Sequence, residues 1–159
     1  MIKVLLCTVA GLFAPSGIVA QERPANDSSL VLGGAWVRAL PPTQNNTAAY
    51  LTIDNQGETA VAVVGARADI AGTVEFHTTR ELDGYLRMEQ LEGLALPAGE
   101  QIELQPGGTH LMLLALKTMP EPGDTVDLCL VLASGEEICV QALARKTAPV
   151  AGDGQHQHH

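Results

Sequence analysis

Two histidines and two methionines stand in this chain at spacings that suit a soft metal ion. His110 and Met112 lie in "GGTHLMLLAL", residues 107–116. Residues two apart on a strand share a face, so these two point together, with Leu111 and Leu113 turned toward a core. His77 ends "TVEFH", where Val74 and Phe76 alternate with Thr73, Glu75 and His77; it therefore belongs to the polar face. Met88 closes "YLRM", just after Asp83-Gly84, and a hairpin through that turn brings it back toward the end of "TVEFH". One strand pairing with "HLM" would make all four side chains converge. On the stretch alone a plainer reading stays open, in which Met112 fills core and His110 caps a loop.

The chemistry of such a set is specific. Thioether sulfur is soft, uncharged and has no proton to lose, so it suits Cu(I) far better than Zn(II), Mg(II) or Ca(II). Imidazole suits both copper states. Cysteine thiolates would hold Cu(I) more tightly, but in an oxidising compartment they tend to form disulfides. Methionine avoids that loss and leaves the ion exchangeable.

The elements that must position these residues read as short strands. They are "AWVRAL", "AAYLTIDN", "TAVAVVGAR", "TVEFHTT", "YLRMEQL", "QIELQ", "HLMLLAL", "TVDLCLVL" and "EICVQAL". Turn material such as "PPTQNN", "NQGE", "LPAGE", "QPGG" and "EPGD" separates them. Nine short strands with closely spaced turns predict an antiparallel sandwich or barrel, and no stretch has helical periodicity with caps.

Residues 1–20, "MIKVLLCTVAGLFAPSGIVA", read as a secretory signal peptide. Lys3 precedes a short apolar run, Pro15 to Gly17 break it, and cleavage is expected near Ala20. Residues 21–32 are read as a leader, 33–146 as one β domain, and 147–159 as a flexible tail holding His156, His158 and His159. The protein is thus expected to be exported, with no membrane span once the leader is removed, and monomeric. Beyond residue 20 there are 8 Lys plus Arg against 18 Asp plus Glu, which argues against nucleic acid and anionic lipid.

Cys129 and Cys139 remain in the domain, on either side of a Ser134-Gly135 turn. A loop over 133–135 sets them directly across from each other, and an exported protein favours a disulfide between them. Neither has a histidine close by in sequence, so the Cys-loop-His-loop-Met order of an electron-transfer copper site is missing. No HExxH, phosphate loop or paired nucleophile and base occurs, and a non-enzymatic role is expected.

The spacing His77, ten residues, Met88, twenty-one residues, His110, one residue, Met112 resembles that of the periplasmic copper chaperones called PCuAC, the copper(A) chaperone family. The surroundings agree in order: "AWVRALPP", "AAYLTIDNQG", "VEFHTT", "LRMEQLEGLALPAGE", "LQPGGTHLMLLAL" and "EPGDTV", over roughly residues 33–145. The resemblance implies a cupredoxin-like Greek-key β sandwich with one Cu(I) on His77, Met88, His110 and Met112. It implies delivery of copper toward the binuclear centre on cytochrome c oxidase subunit II, with a thiol-reductase chaperone of the Sco type as a further partner. A copper buffer or import accessory without an oxidase partner would have the same site chemistry. Thr43 stands where many members have glycine, and the cysteine pair is outside the family pattern. The tail resembles a histidine-bearing extension of some members but lacks methionine, which makes His156, His158 and His159 candidates for Cu(II).

Overall fold

The computed structural model describes residues 30–149, all within one β domain. The signal-peptide reading of 1–20, most of the leader and the tail histidines lie outside the described residues. Ten strands form: β1 (Leu30–Arg38), β2 (Thr47–Asn55), β3 (Val61–Ala68), β4 (Thr73–Leu82), β5 (Tyr85–Leu91), β6 (Leu94–Leu96), β7 (Gln101–Leu104), β8 (His110–Leu114), β9 (Thr125–Leu132) and β10 (Glu137–Arg145). Among the described residues no helix is long and apolar enough to cross a membrane.

Hydrogen bonding runs β5-β4-β8-β2-β1-β10-β9-β3-β6, with β7 beside β2. The sheet curls until β3 meets β4 again at Ala66 and Val74, so two layers face each other. Their inward rows form the core: Phe76, Leu111, Leu113, Leu51, Ile53 and Val37 meet Val63, Val126, Leu128, Leu130 and Ala142. Truncating a fully buried leucine such as Leu111 to alanine would cost about 2–5 kcal/mol.

Three features differ from the sequence expectation. Leu30 begins β1, inside the segment read as leader, because its side chain is buried in the core and Leu30 pairs with Asn55. "LAL" at 94–96 forms an additional strand on β3; it is too short for its alternation to register as a pattern. Finally, β1 and β10 run parallel, Trp36 beside Leu143, where an all-antiparallel sheet was expected. The two ends of the domain meet there without a connecting turn, so hairpin geometry does not dictate their direction.

Candidate metal site

The β4–β5 hairpin turns on Asp83 and Gly84, both with positive φ (54° and 80°). That is the conformation a two-residue turn needs to match the strands' twist, and Asp-Gly supplies it at low cost. The turn sets the register: Leu82 opposes Tyr85, Thr79 opposes Met88, and His77 opposes Gln90. On the other side of β4 comes β8, with Glu75 opposite Met112 and His77 opposite His110. Directly opposed residues share a face, as do residues two apart. His77, Met88, His110 and Met112 therefore all project from the outer face of three adjacent strands. The pairing with "HLM" required by the spacing is the β4–β8 ladder.

The imidazole rings of His77 and His110 have centroids 6.1 Å apart. Each is held through one nitrogen. His110 Nδ1 donates to the Gly108 carbonyl at 2.9 Å, which leaves Nε2 with its lone pair. His77 Nε2 donates to Glu75 Oε2 at 2.8 Å, which leaves Nδ1 with its lone pair. That Nδ1 is buried and has no hydrogen-bond partner. Leaving a buried polar group unsatisfied costs about 1–3 kcal/mol, so a buried lone pair of this kind fits an acceptor of electron pairs. Metal-bound histidines characteristically donate their second nitrogen to a carboxylate or a backbone carbonyl, and one of each is present here.

Exposure differs across the set. His110 is buried, only 5% exposed, Met112 and His77 are intermediate, and Met88 is 55% exposed at the rim. Behind His110 lies Tyr50, ring centroids 6.3 Å apart, itself stacked on Trp36 at 4.4 Å and covered by the Arg38 guanidinium at 5.5 Å. Burial raises the Tyr50 phenol above its ordinary range, and the nearby Arg38 charge opposes that rise. Among the described residues no group of three or more His, Cys, Asp or Glu side chains is arranged to hold a metal. Beside the two imidazoles, the methionines Met88 and Met112 share their face.

The plainer reading of His110 as a loop cap is also realised, since its Nδ1 closes the Gly107-Gly108 turn. Capping fixes the ring and its tautomer; it does not compete with ligation. Glu75 was visible in sequence only as a neighbour of His77 on one face, and its hydrogen bond assigns it an anchoring role. Met119, the remaining methionine of the domain, is buried and stands apart from this motif. Trp36 stacks on Tyr50, whose ring in turn faces His110.

A family model described as LpqE-like, a family of proposed lipoproteins, matches residues 30–144. The chain belongs to the LpqE-like family. This is the family of the PCuAC domains. A proposed lipoprotein of Leifsonia xyli subsp. xyli, Lxx21020, is 34% identical over 102 residues, 64% of this chain and 60% of that protein. The chain therefore spans well under two thirds of that relative's length. The solution structure of the Cu(I) form of DR1885 from Deinococcus radiodurans is 34% identical, with a TM-score of 0.62, and covers 80% of this chain and 85% of DR1885. Its apo form is 31% identical over 91% of this chain and 95% of that one, with a TM-score of 0.60. The copper-bound PCuAC domain of PmoF2, 18% identical, has a TM-score of 0.61 over 74% of this chain and 93% of that domain. The LpqE-like domain described here thus has the cupredoxin-like β-sandwich fold of the PCuAC domains.

Proposed function

We propose that this protein is an exported copper chaperone that carries one Cu(I) ion as cargo between His77 Nδ1, His110 Nε2 and the sulfurs of Met88 and Met112. The observation that carries the reading is the buried, unpartnered Nδ1 of His77, in a residue directly opposite His110 on the face shared with both methionines. Two neutral imidazoles and two thioethers are a donor set for Cu(I), and the set contains no thiol to be oxidised. The Cu(I) form of DR1885, 34% identical, supports the choice of ion. Membership in a family of proposed lipoproteins supports export, and the leader-like residues 1–20 fit a periplasmic destination.

Binding and release are the whole activity; no bond of a substrate is made or broken. Met88 at the exposed rim gives an acceptor a way to replace one donor at a time. The recipient we propose is the binuclear copper centre of cytochrome c oxidase subunit II, with a Sco-type thiol reductase acting beside it and the chaperone working as a monomer. Tail residues His156, His158 and His159 would capture Cu(II), lacking sulfur.

X-ray absorption of the Cu(I)-loaded protein tests the site: mixed nitrogen and sulfur ligands are expected, and an oxygen and nitrogen shell alone rules the assignment out. Deleting the gene and measuring oxidase activity at limiting copper tests the role. Activity should fall and recover with added copper; unchanged activity would leave a copper buffer or import accessory instead.

A further inference from the structure

Cys129 and Cys139 take no part in that site. They oppose each other directly on β9 and β10 and are joined as a disulfide, with Cα atoms 4.0 Å apart. The bond lies on the outer face. Leu128, Leu130 and Leu132 point inward and are buried, whereas Asp127, Gln141 and Glu137, which share the cysteines' face, are exposed. Cys139 is itself exposed and Cys129 is half-buried. The disulfide therefore fills no part of the core.

Nor does the hairpin depend on it as a clasp. Seven residue pairs, from Glu137–Val131 to Leu143–Thr125, already fix the β9–β10 register. Both strands are interior to the sheet, β9 flanked by β3 and β10 by β1. On the β3 side Arg67 stands directly opposite Cys129, and its guanidinium is ion-paired with Glu137, two residues from Cys139 on the same face. A solvent-reachable sulfur is open to attack by an external thiolate, and the Arg67–Glu137 ion pair beside it adds no net charge.

We propose that Cys129 and Cys139 form a reversible thiol site that, once reduced by an external dithiol, holds a second Cu(I) ion between two thiolates. In the exchange a thiolate of the external dithiol attacks the exposed Cys139 sulfur. The Cys129–Cys139 bond breaks, Cys129 leaves as thiolate and takes a proton, and a mixed disulfide forms. The reductant's second thiol then displaces Cys139, and the reductant departs as its own disulfide. Two electrons and two protons have passed to the pair. Cu(I) next replaces the two protons, giving a sulfur–copper–sulfur bridge. Unbridged cross-strand Cβ atoms stand about 4.5–5.5 Å apart, close enough for both sulfurs to reach one ion. Thiolate is the softest donor a protein offers and suits Cu(I). Cys129 is opposed by Arg67 and Cys139, and neither β9 nor β10 pairs with β4, β5 or β8, so this second site uses none of the histidine–methionine ligands and does not rest on the function proposed for them.

The test counts Cu(I). The full chain is reduced anaerobically with a phosphine, freed of it, and titrated with Cu(I) against a chromophoric Cu(I) chelator. Reduction should raise the capacity by one equivalent, and Cys129→Ser, Cys139→Ser protein should show no such rise. Reduced protein alkylated with iodoacetamide serves as the blocked control should the serine variant not fold. A Met88→Leu, Met112→Leu protein separates this claim from the first site: it should still gain one equivalent on reduction. An equal count before and after reduction overturns the proposal, and so does loss of the native near-ultraviolet signal when the bond is opened.

Discussion

His77 and His110 stand directly opposite each other on β4 and β8, yet they are anchored through different nitrogens, Nε2 to Glu75 and Nδ1 to Gly108. The two rings thereby present Nδ1 from one strand and Nε2 from the next. A side-chain anchor can be altered by substitution, whereas the backbone anchor cannot, so the two halves of the pair are separable by experiment.

Replacing Glu75 should weaken copper binding without unfolding the domain. Loss of an outer-sphere partner of a ligating histidine typically lowers metal affinity about 10–100-fold. Glu75→Ala should fall in that range, and Glu75→Gln, which still accepts from Nε2, should lose less. Competition with a Cu(I) chelator measures both. Wild-type affinity in Glu75→Ala would remove Glu75 from the site.

Met88→Leu and Met112→Leu test the sulfur donors. Leucine is close to methionine in volume, so each change should alter stability by less than about 1.5 kcal/mol. Exposed Met88 should be the milder of the two in urea unfolding. Cu(I) affinity should nevertheless drop at least about tenfold in each, as a first-sphere donor outweighs an outer-sphere one. Full affinity in either variant would exclude that methionine.

Tyr50 makes an alkaline prediction. Burial, partly opposed by Arg38, raises its phenol above the ordinary value of 10.0. The fold therefore favours the neutral form more than the unfolded chain does. Its contribution to stability is complete below about pH 10 and is lost as pH rises through the folded-state pKa. Thermal unfolding across the alkaline range should show a steeper fall for wild type than for Tyr50→Phe. Parallel curves would refute the assignment.

Asn55 should be the most sensitive polar residue for stability. Fully buried at the end of β2, its amide donates to the carbonyls of Thr59, Leu96 and Pro97 and accepts from the Gly57 N–H. Asn55→Ala strands several of these groups at about 1–3 kcal/mol each, so a loss of at least about 3 kcal/mol is expected in denaturant unfolding. Ala48, at the other end of β2, is the strand's neighbour to Met112, so Cu(I) stoichiometry should survive. A loss under about 1 kcal/mol would contradict the buried network.

Removing residues 154–159 should abolish one Cu(II) equivalent in calorimetry and leave Cu(I) binding intact. Unchanged Cu(II) stoichiometry would mean that His156, His158 and His159 play no part in binding.

Much of this protein follows from local rules that one sequence contains. Period-two alternation placed Leu111 and Leu113 inward and His110 and Met112 outward, because a strand leaves side chains no other choice. Asp83-Gly84 dictated the hairpin that carries Met88, since few residue pairs accept two positive φ angles in succession. The Ser134-Gly135 turn likewise sets Cys129 against Cys139. What only the tertiary structure decided are relations between strands distant in sequence. Nothing local states that β8 inserts between β4 and β2, that β1 lies parallel to β10, or that Leu30 is needed inside the core. The free nitrogen of each histidine depends on Glu75 and Gly108 adopting one rotamer and one turn. Asn55 looks in sequence like an ordinary turn residue, and its place in the interior exists only because the carbonyls of Leu96 and Pro97 come to meet it. Alternation and turn chemistry act over a few residues and are written in order; strand pairing, tautomer and burial depend on which surfaces meet when the chain closes.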